Sequence, residues 1–311
     1  MSAGSPTASP WPPVAVVVAT RDRPQLLERA VRAIAEQDYP GDIECMIVFD
    51  QSPPRELEAG ADLRAGRQIR ILSNARTPGL AGARNTGMLA TAASFLAFCD
   101  DDDAWLPGKV RQQVEFLNKT GADFSATGVL IHHGDRVNIR VPPERVDFGQ
   151  LVRERVGALH PSTFLFSRSL LEKVGLVDEA IPGSYGEDYD WLLRSARVQP
   201  IVSVTQPLAD VYWHKQSFFA ERWATVATAL TYLLDKHPEL MADPPGRARI
   251  QGQIAFAQAA QAQRSSAIRT SWRAIRGNPR ERRAYLAVAV AAGFVSAPAI
   301  VRLANARGRG I

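Results

Sequence analysis

The stretch Ser94–Lys109, SFLAFCDDDDAWLPGK, runs an apolar segment of strand length straight into four consecutive aspartates. Neighbouring carboxylates repel, and more strongly where water is scarce. A buried strand that ends this way needs something at its end to hold the charge. Reading upstream, Val14–Thr20 (VAVVVAT) is a β-branched run typical of a strand covered on both faces. RPQLLERAVRAIAEQDYP follows, with Leu26, Leu27, Ala30, Val31 and Ile34 at helical spacing, Pro24 in the first turn and Pro40 beyond the end. IECMIVFD is a second strand ending at Asp50, and QIRILSN is a third. GLAGARNTGMLATA starts with glycines and turns helical before the strand that meets the aspartates. Strands alternating with helices predict an α/β fold with a mostly parallel central sheet flanked by helices.

Downstream, KVRQQVEFLNKTG reads as a helix closed by Gly121, and Ser169–Val174 as another. DFSATGVLIHH, STFLFS and PIVSVTQPLADVYWH read as further strands. From Ser217 the pattern is helical, so a boundary is expected near 220. Residues 1–13, rich in Ser, Pro and Ala, read as a flexible tail without the charged start of a secretory signal. Cys45 and Cys99 lie in apolar runs and make neither a disulfide framework nor a cysteine-based zinc site, which suits a reducing cytoplasm. The net charge of +5 is unevenly spread. Residues 1–240 hold 25 basic and 30 acidic residues, whereas 241–311 hold 12 arginines and 2 acids.

In an open parallel sheet, ligands bind beyond the carboxyl ends of the strands. Three polar clusters fall at such ends: TRDR after the first strand, Asp50 after the second, and the aspartate run after the fourth. Asp100 and Asp102 alternate as an Asp-X-Asp pair, two hard oxygen ligands suited to Mg²⁺ or Mn²⁺ and, through the cation, to a nucleotide's phosphates. A divalent charge would outweigh the repulsion among its ligands. The alternative is a solvated acidic turn, and Asp103 has a separate option as the cap of a helix starting near Pro107. GEDYDWLLR places Glu187, Asp188 and Asp190 before an apolar helix start. Such acids favour a helix N-terminus, and a carboxylate there can also take a proton from an attacking hydroxyl. Arg84 is either a surface residue or a phosphate partner. His214 follows the last strand, and His132, His133, His160 and His237 receive no role. Neither a Walker loop nor a dinucleotide fingerprint is present.

In order along the chain, VAVVVATRDRPQLLERAVRAIAEQDYP, IVFDQS, GLAGARNTG, FLAFCDDDDAWLPGK, GEDYDWLLR and YWHKQS resemble family 2 glycosyltransferases of the GT-A fold, over about Val14–Ser217. The resemblance implies a Rossmann-like domain over 14–220, with a nucleotide-sugar half at 14–103 and an acceptor half at 104–220; the helical pattern and arginine excess beyond it read as a basic helical extension at 221–311. It implies nucleotide contacts from Thr20, Arg23, Asp50, Arg84, Asp100 and Asp101, and a Mn²⁺ or Mg²⁺ site from Asp102, Asp100 and His214. Asp188 would be the catalytic base, with Glu187 ordering the site. The implied reaction inverts the anomeric carbon, moving a hexosyl or related unit from a nucleotide-diphosphate sugar to a hydroxyl of a glycan, glycolipid, other lipid-linked acceptor or secondary metabolite, as in cell-envelope or polysaccharide biosynthesis. The family's second strand usually ends Asp-Asp-Gly-Ser, where this chain has Phe49-Asp50-Gln51-Ser52, keeping the second aspartate but not the first or the glycine; UDP is the favoured nucleotide.

Two other functions stand beside this one. A sugar-1-phosphate nucleotidyltransferase would want a glycine-rich phosphate loop where ATRDRPQ stands. A catalytically inactive, membrane-associated nucleotide-sugar-binding protein would not need Asp100, Asp102 and Asp188 together. In the basic extension, Arg269, Arg273 and Arg276 share a helical face, and Ala284–Val301 carries no charge but includes seven alanines, Gly293 and Pro298. Helices packed on the catalytic domain and helices on an anionic bilayer surface are both compatible with that pattern, the second making the protein peripheral on the cytoplasmic face. A membrane span is the least favoured option, and no nucleic-acid recognition module accompanies the arginines.

Overall fold

A computed structural model of the chain describes residues 11–61, 63–213 and 222–306. Residues 1–10 of the expected tail and His214 lie outside them. The chain divides into two compact units that do not follow sequence order. The first comprises 1–147, 157–177 and 194–212, and the second 148–156, 178–193 and 213–311.

Every strand among the described residues belongs to the first unit. They are β1 (Val14–Thr20), β2 (Ile43–Phe49), β3 (Arg67–Ser73), β4 (Phe95–Phe98), β5 (Ala104–Trp105), β6 (Phe124–His133), β7 (Arg136–Arg140), β8 (Arg145–Val146), β9 (Leu165–Ser167) and β10 (Ile201–Tyr212). The sheet runs β3-β2-β1-β4-β9-β6-β10-β5, with β7 beside β6 and β8 beside β10. Its longest pairings, β1 with β2, β2 with β3 and β6 with β10, are all parallel. β9 runs antiparallel to both β4 and β6, so β6 and β10 point the same way as β1 to β4. The residues that end these strands, Thr20, Phe49, Phe98 and Tyr212, therefore gather on one edge of the sheet.

Helices α1 (Pro24–Ala35), α2 (Leu80–Leu89) and α3 (Lys109–Thr120) flank this sheet. Helix α1 buries Leu27, Ala30, Val31 and Ile34, the stripe its spacing predicts. Helix α2 packs so closely on β1 that a Cβ at Gly87 would lie 2.4 Å from Val17 Cγ1, which accounts for that glycine. Gly121 ends α3 at a φ of +68°. The expected strand STFLFS forms only from Leu165, because Pro161–Thr163 makes a short 3₁₀ turn after His160. The short antiparallel strands were not expected: β5 and β8 are two residues each, and β7 alternates Val137 and Ile139 with polar residues but exposes both.

The second unit is helical. It holds α4 (Phe148–Arg153), which α5 (Arg168–Val174) of the first unit follows in sequence, and the start of α6 (Glu187–Val198). Its remaining helices are α7 (Trp223–Lys236), α8 (Pro238–Ala242), α9 (Pro244–Ala260), α10 (Arg264–Gly277), α11 (Arg282–Ala291) and α12 (Ala297–Ala306). Helix α9 is the centre, packed by α4, α7, α10 and α11. Small buried residues, among them Ala255 and Ala259 of α9, Ala267 of α10 and Ala287 and Ala291 of α11, let these helices approach closely. The uncharged stretch 284–301 breaks at Gly293, at a φ of +84°, into α11 and α12. No helix among the described residues is long and apolar enough to cross a membrane.

Candidate active site

The four aspartates after β4 alternate in burial. Asp100 and Asp102 side chains are 27% and 24% exposed, whereas those of Asp101 and Asp103 are 8% and 2% exposed. Each buried member is met by donors. Thr20 Oγ1, at the end of β1, donates to Asp101 Oδ2 at 2.7 Å, and Arg23 Nη1 donates to Asp101 Oδ1 at 3.2 Å. Ser162 Oγ donates to Asp103 Oδ2 at 2.5 Å and the Tyr212 amide to Asp103 Oδ1 at 3.3 Å. Asp103 thus does not cap the following helix; Gly108 occupies that position. Burial, aided by Asp102 and Asp100 and opposed by Thr20 and Arg23, pushes Asp101 up to about 6. Burial and the charges of Asp100 and Asp102 raise Asp103 well above the ordinary carboxylate range.

The two outward carboxylates carry arginines. Arg23 Nη1 donates to Asp102 Oδ2 at 2.8 Å, and Arg29 Nη2 to the Asp102 carbonyl at 2.6 Å. Arg84, almost fully buried on α2, donates to Asp100 Oδ1 at 2.7 Å with its guanidinium 4.9 Å from the Phe98 ring centroid. A buried cation requires such a partner, so Arg84 reaches the sheet edge through Asp100.

Ser162 organises the turn: its hydroxyl accepts from the Asp100 amide at 3.0 Å and its carbonyl accepts from Trp105 Nε1 at 2.7 Å. Sequence reasoning gave His160 no role, yet Asp100, Asp103 and His160 hold ligand atoms within 4.8 Å of one another, the one such group among the described residues. The signal lay in HPSTFLF, where polar residues stand directly before an apolar strand. Hard carboxylate oxygens, held close enough to repel, match the chemistry of a divalent cation site.

Asp50 sits apart from this cluster, beyond β2. Its carboxylate accepts from Asn74 Nδ2 at 2.8 Å, the Gly79 amide at 3.0 Å and Gln51 Nε2 at 2.9 Å. Burial works to raise Asp50, but these bonds outweigh it and hold the group below the usual range. Asp50 therefore fixes the loop that leads into α2. Gln51 takes a φ of +54°, the left-handed region that glycine enters without strain. Between the ends of β1 and β2 lies a cleft of about 340 Å³, lined by Thr20, Asp22, Arg23, Leu27, Phe49 and Arg55.

Glu187 and Asp188 begin α6 in the second unit, directly after Gly186 at a φ of +83°. Both are buried. Arg155, 40% exposed, forms an ion pair with Asp188 Oδ2, and the carboxylate in turn raises Arg155. Asp190 is fully buried and paired with Lys236 Nζ at 2.7 Å and His237 Nε2 at 2.8 Å. Tyr189 donates to the Leu151 carbonyl at 2.6 Å and accepts from Arg249 at 2.7 Å. These bonds fix α6 from both neighbours and leave Asp188 under an arginine that solvent reaches. Thr20, Arg23, Arg84 and Asp100–Asp102 thus come together in the first unit, Asp50 stands beside the cleft, and Glu187 and Asp188 belong to the second.

Residues 15–175 match the family described as Glycosyl transferase family 2. UDP-Glc:alpha-D-GlcNAc-diphosphoundecaprenol beta-1,3-glucosyltransferase WfgD of Escherichia coli is 24% identical over 57% of this chain and 66% of its own length. The uncharacterized glycosyltransferase EpsJ of Bacillus subtilis is 27% identical over 60% of this chain and 56% of its own length. The matched region thus spans less than two thirds of either relative. Among solved structures, S. aureus TarS 1–349 in complex with UDP-GlcNAc superposes with a TM-score of 0.58 over 90% of this chain and 91% of that one, at 15% identity. The mannosyltransferase PcManGT from Pyrobaculum calidifontis, in complex with GDP-Man and Mn²⁺, gives 0.56 over 96% and 80%, at 18% identity. Likeness at these identities establishes the fold, GT-A with added C-terminal helices.

Proposed function

The chain belongs to glycosyl transferase family 2, and we propose that it transfers a sugar, with inversion, from a nucleotide-diphosphate sugar to a hydroxyl of a lipid-linked or glycan acceptor. The observation that carries this reading is the alternating aspartate run at the carboxyl end of β4. Its buried members are tied down by Thr20, Arg23, Ser162 and Tyr212, and its outer members stand at the ligand edge of the sheet. A UDP-sugar is the favoured donor, supported by the names of WfgD and of the TarS complex.

In this reading the cleft beside Thr20 and Phe49 takes the nucleoside, and Asp50 shapes its rim. Asp100 and Asp102 would hold Mn²⁺ or Mg²⁺, with Asp103 as the buried brace of the turn and His214 as the third ligand. When bound, the cation supplies positive charge that offsets the charge left on the departing diphosphate. Arg23, which pairs with Asp102, would add positive charge beside that site. Asp188 takes the proton of the acceptor hydroxyl as its oxygen bonds to the anomeric carbon. The bond from that carbon to the diphosphate breaks, and its electron pair leaves with the nucleotide. Glu187 orders the start of α6.

Incubating the purified chain with UDP-, GDP- and dTDP-sugars and Mn²⁺ tests this reading. Release of one nucleoside diphosphate is expected. In a parallel incubation with nucleoside triphosphates and sugar 1-phosphates, formation of a nucleotide sugar and pyrophosphate would identify a nucleotidyltransferase instead, and donor binding without turnover in either would identify an inactive binder.

A further inference from the structure

We propose that the outward face of α10 is a docking surface for an anionic lipid bilayer. Helix α10 turns Ala267, Ser271 and Ala274 inward, all fully buried, and packs on α9 and α11. At 3.6 residues per turn, Ile268, Trp272, Arg276, Arg269 and Arg273 follow one another around the other side within an arc of about 140°. Ile268 is 37% and Trp272 60% exposed. The three arginines are exposed as well, and no carboxylate among the described residues pairs with them. The face thus has an apolar flank and a cationic flank, side by side on a helix already anchored by its small residues.

Charge and shape both favour a bilayer as the occupant. Residues 241–311 carry 12 arginines against 2 acids, a balance that attracts anionic headgroups. Tryptophan and isoleucine next to arginine suit the headgroup boundary, where an indole has one apolar and one wet side. Packing on α9 and lying on a membrane are therefore compatible fates for this helix, since they use opposite faces. The usefulness of such a surface for a lipid-linked acceptor rests on the proposed function, whereas the surface itself can be tested without substrate.

The test is flotation of the full chain with phosphatidylglycerol-containing and pure phosphatidylcholine vesicles, at low and high salt. Wild type is expected to float with the anionic vesicles only, and to lose them as salt rises. The triple variant R269Q/R273Q/R276Q is expected to lower partitioning roughly a hundredfold, about fivefold for each arginine removed. Trp272→Ser is expected to weaken binding without changing the salt slope. All four side chains are exposed, so circular dichroism should match wild type. Equal flotation of the triple variant, equal binding to neutral vesicles, or capture by nucleic acid in place of vesicles would each overturn the proposal. Donor turnover measured in parallel keeps the readings separate: turnover without flotation removes the surface alone, and flotation without turnover removes the enzymatic reading alone.

Discussion

Lys109, the first residue of α3, offers the sharpest energetic test of how the acidic turn is built. It is fully buried, its Nζ has no hydrogen-bond partner among the described residues, and the ammonium lies 3.8 Å from the Trp105 ring centroid. Burial pulls its pKa from 10.5 down to about 7, with Cys99 opposing weakly. Between those two values the unfolded chain binds a proton that the folded chain does not, so this group makes stability rise with pH across that window. At about 1.4 kcal/mol per tenfold change in proton activity, keeping Lys109 folded costs roughly 4 kcal/mol at pH 7.5, and only roughly 1 kcal/mol at pH 9.5. Lys109→Met removes the titration while keeping an unbranched chain against the indole. In urea unfolding the variant is expected to be more stable by roughly 3 kcal/mol at pH 8. Its advantage should shrink by about 2–3 kcal/mol between pH 7.5 and 9.5. Curves that stay parallel over that range, or a variant less stable than wild type, would refute the reasoning and place a compensating partner beside the amine.

Three further outcomes are expected. Gly87→Ala pushes a methyl into Val17 and should cost about 1–3 kcal/mol in urea unfolding. Asp102→Asn should lose Mn²⁺ affinity by about 10–100-fold in an electron paramagnetic resonance titration; loss in Asp103→Asn and His160→Ala instead, with Asp102→Asn unaffected, would move the cation to the inner group of Asp100, Asp103 and His160. Arg155→Gln removes the cation paired with Asp188 and favours the protonated carboxyl, so the acidic limb of the pH–activity profile should move to higher pH; an unmoved limb would detach Arg155 from the proton transfer.

The parallel half of the fold is legible in the sequence because its central strands β1 and β2 are buried on both faces. Continuous apolar runs such as VAVVVAT and IECMIVF leave few alternatives, and the polar clusters beyond them mark one edge of the sheet. The strand RVNIR does alternate Val137 and Ile139 with polar residues, but it is only five residues long and both apolar side chains face solvent, so no buried face marks it off from a loop. Within the site, the Asp-X-Asp spacing singles out Asp100 and Asp102. The turn that sets the alternation, closed by the Asp103 amide on the Asp100 carbonyl at 3.1 Å, is not legible, and neither are the partners of Asp101 and Asp103. Thr20 lies 81 residues from Asp101 and Ser162 lies 59 from Asp103, and only the folded sheet brings them together. The same holds for Asn85, which donates to and accepts from the Val177 backbone at 2.9 Å across 92 residues. The pairing of Arg155 with Asp188 depends on a unit assembled from three separate segments, which no local pattern announces.

The most direct test of the central claim compares wild type with Asp188→Asn in a single transfer assay, using a UDP-sugar, Mn²⁺ and a diphosphate-linked lipid sugar acceptor, with donor affinity measured alongside. The expected result is a new glycosidic bond of inverted configuration and one UDP per turnover in wild type. The variant is expected to bind donor as tightly but transfer no sugar. Wild-type turnover in Asp188→Asn, or a product that retains the donor's configuration, would contradict the account.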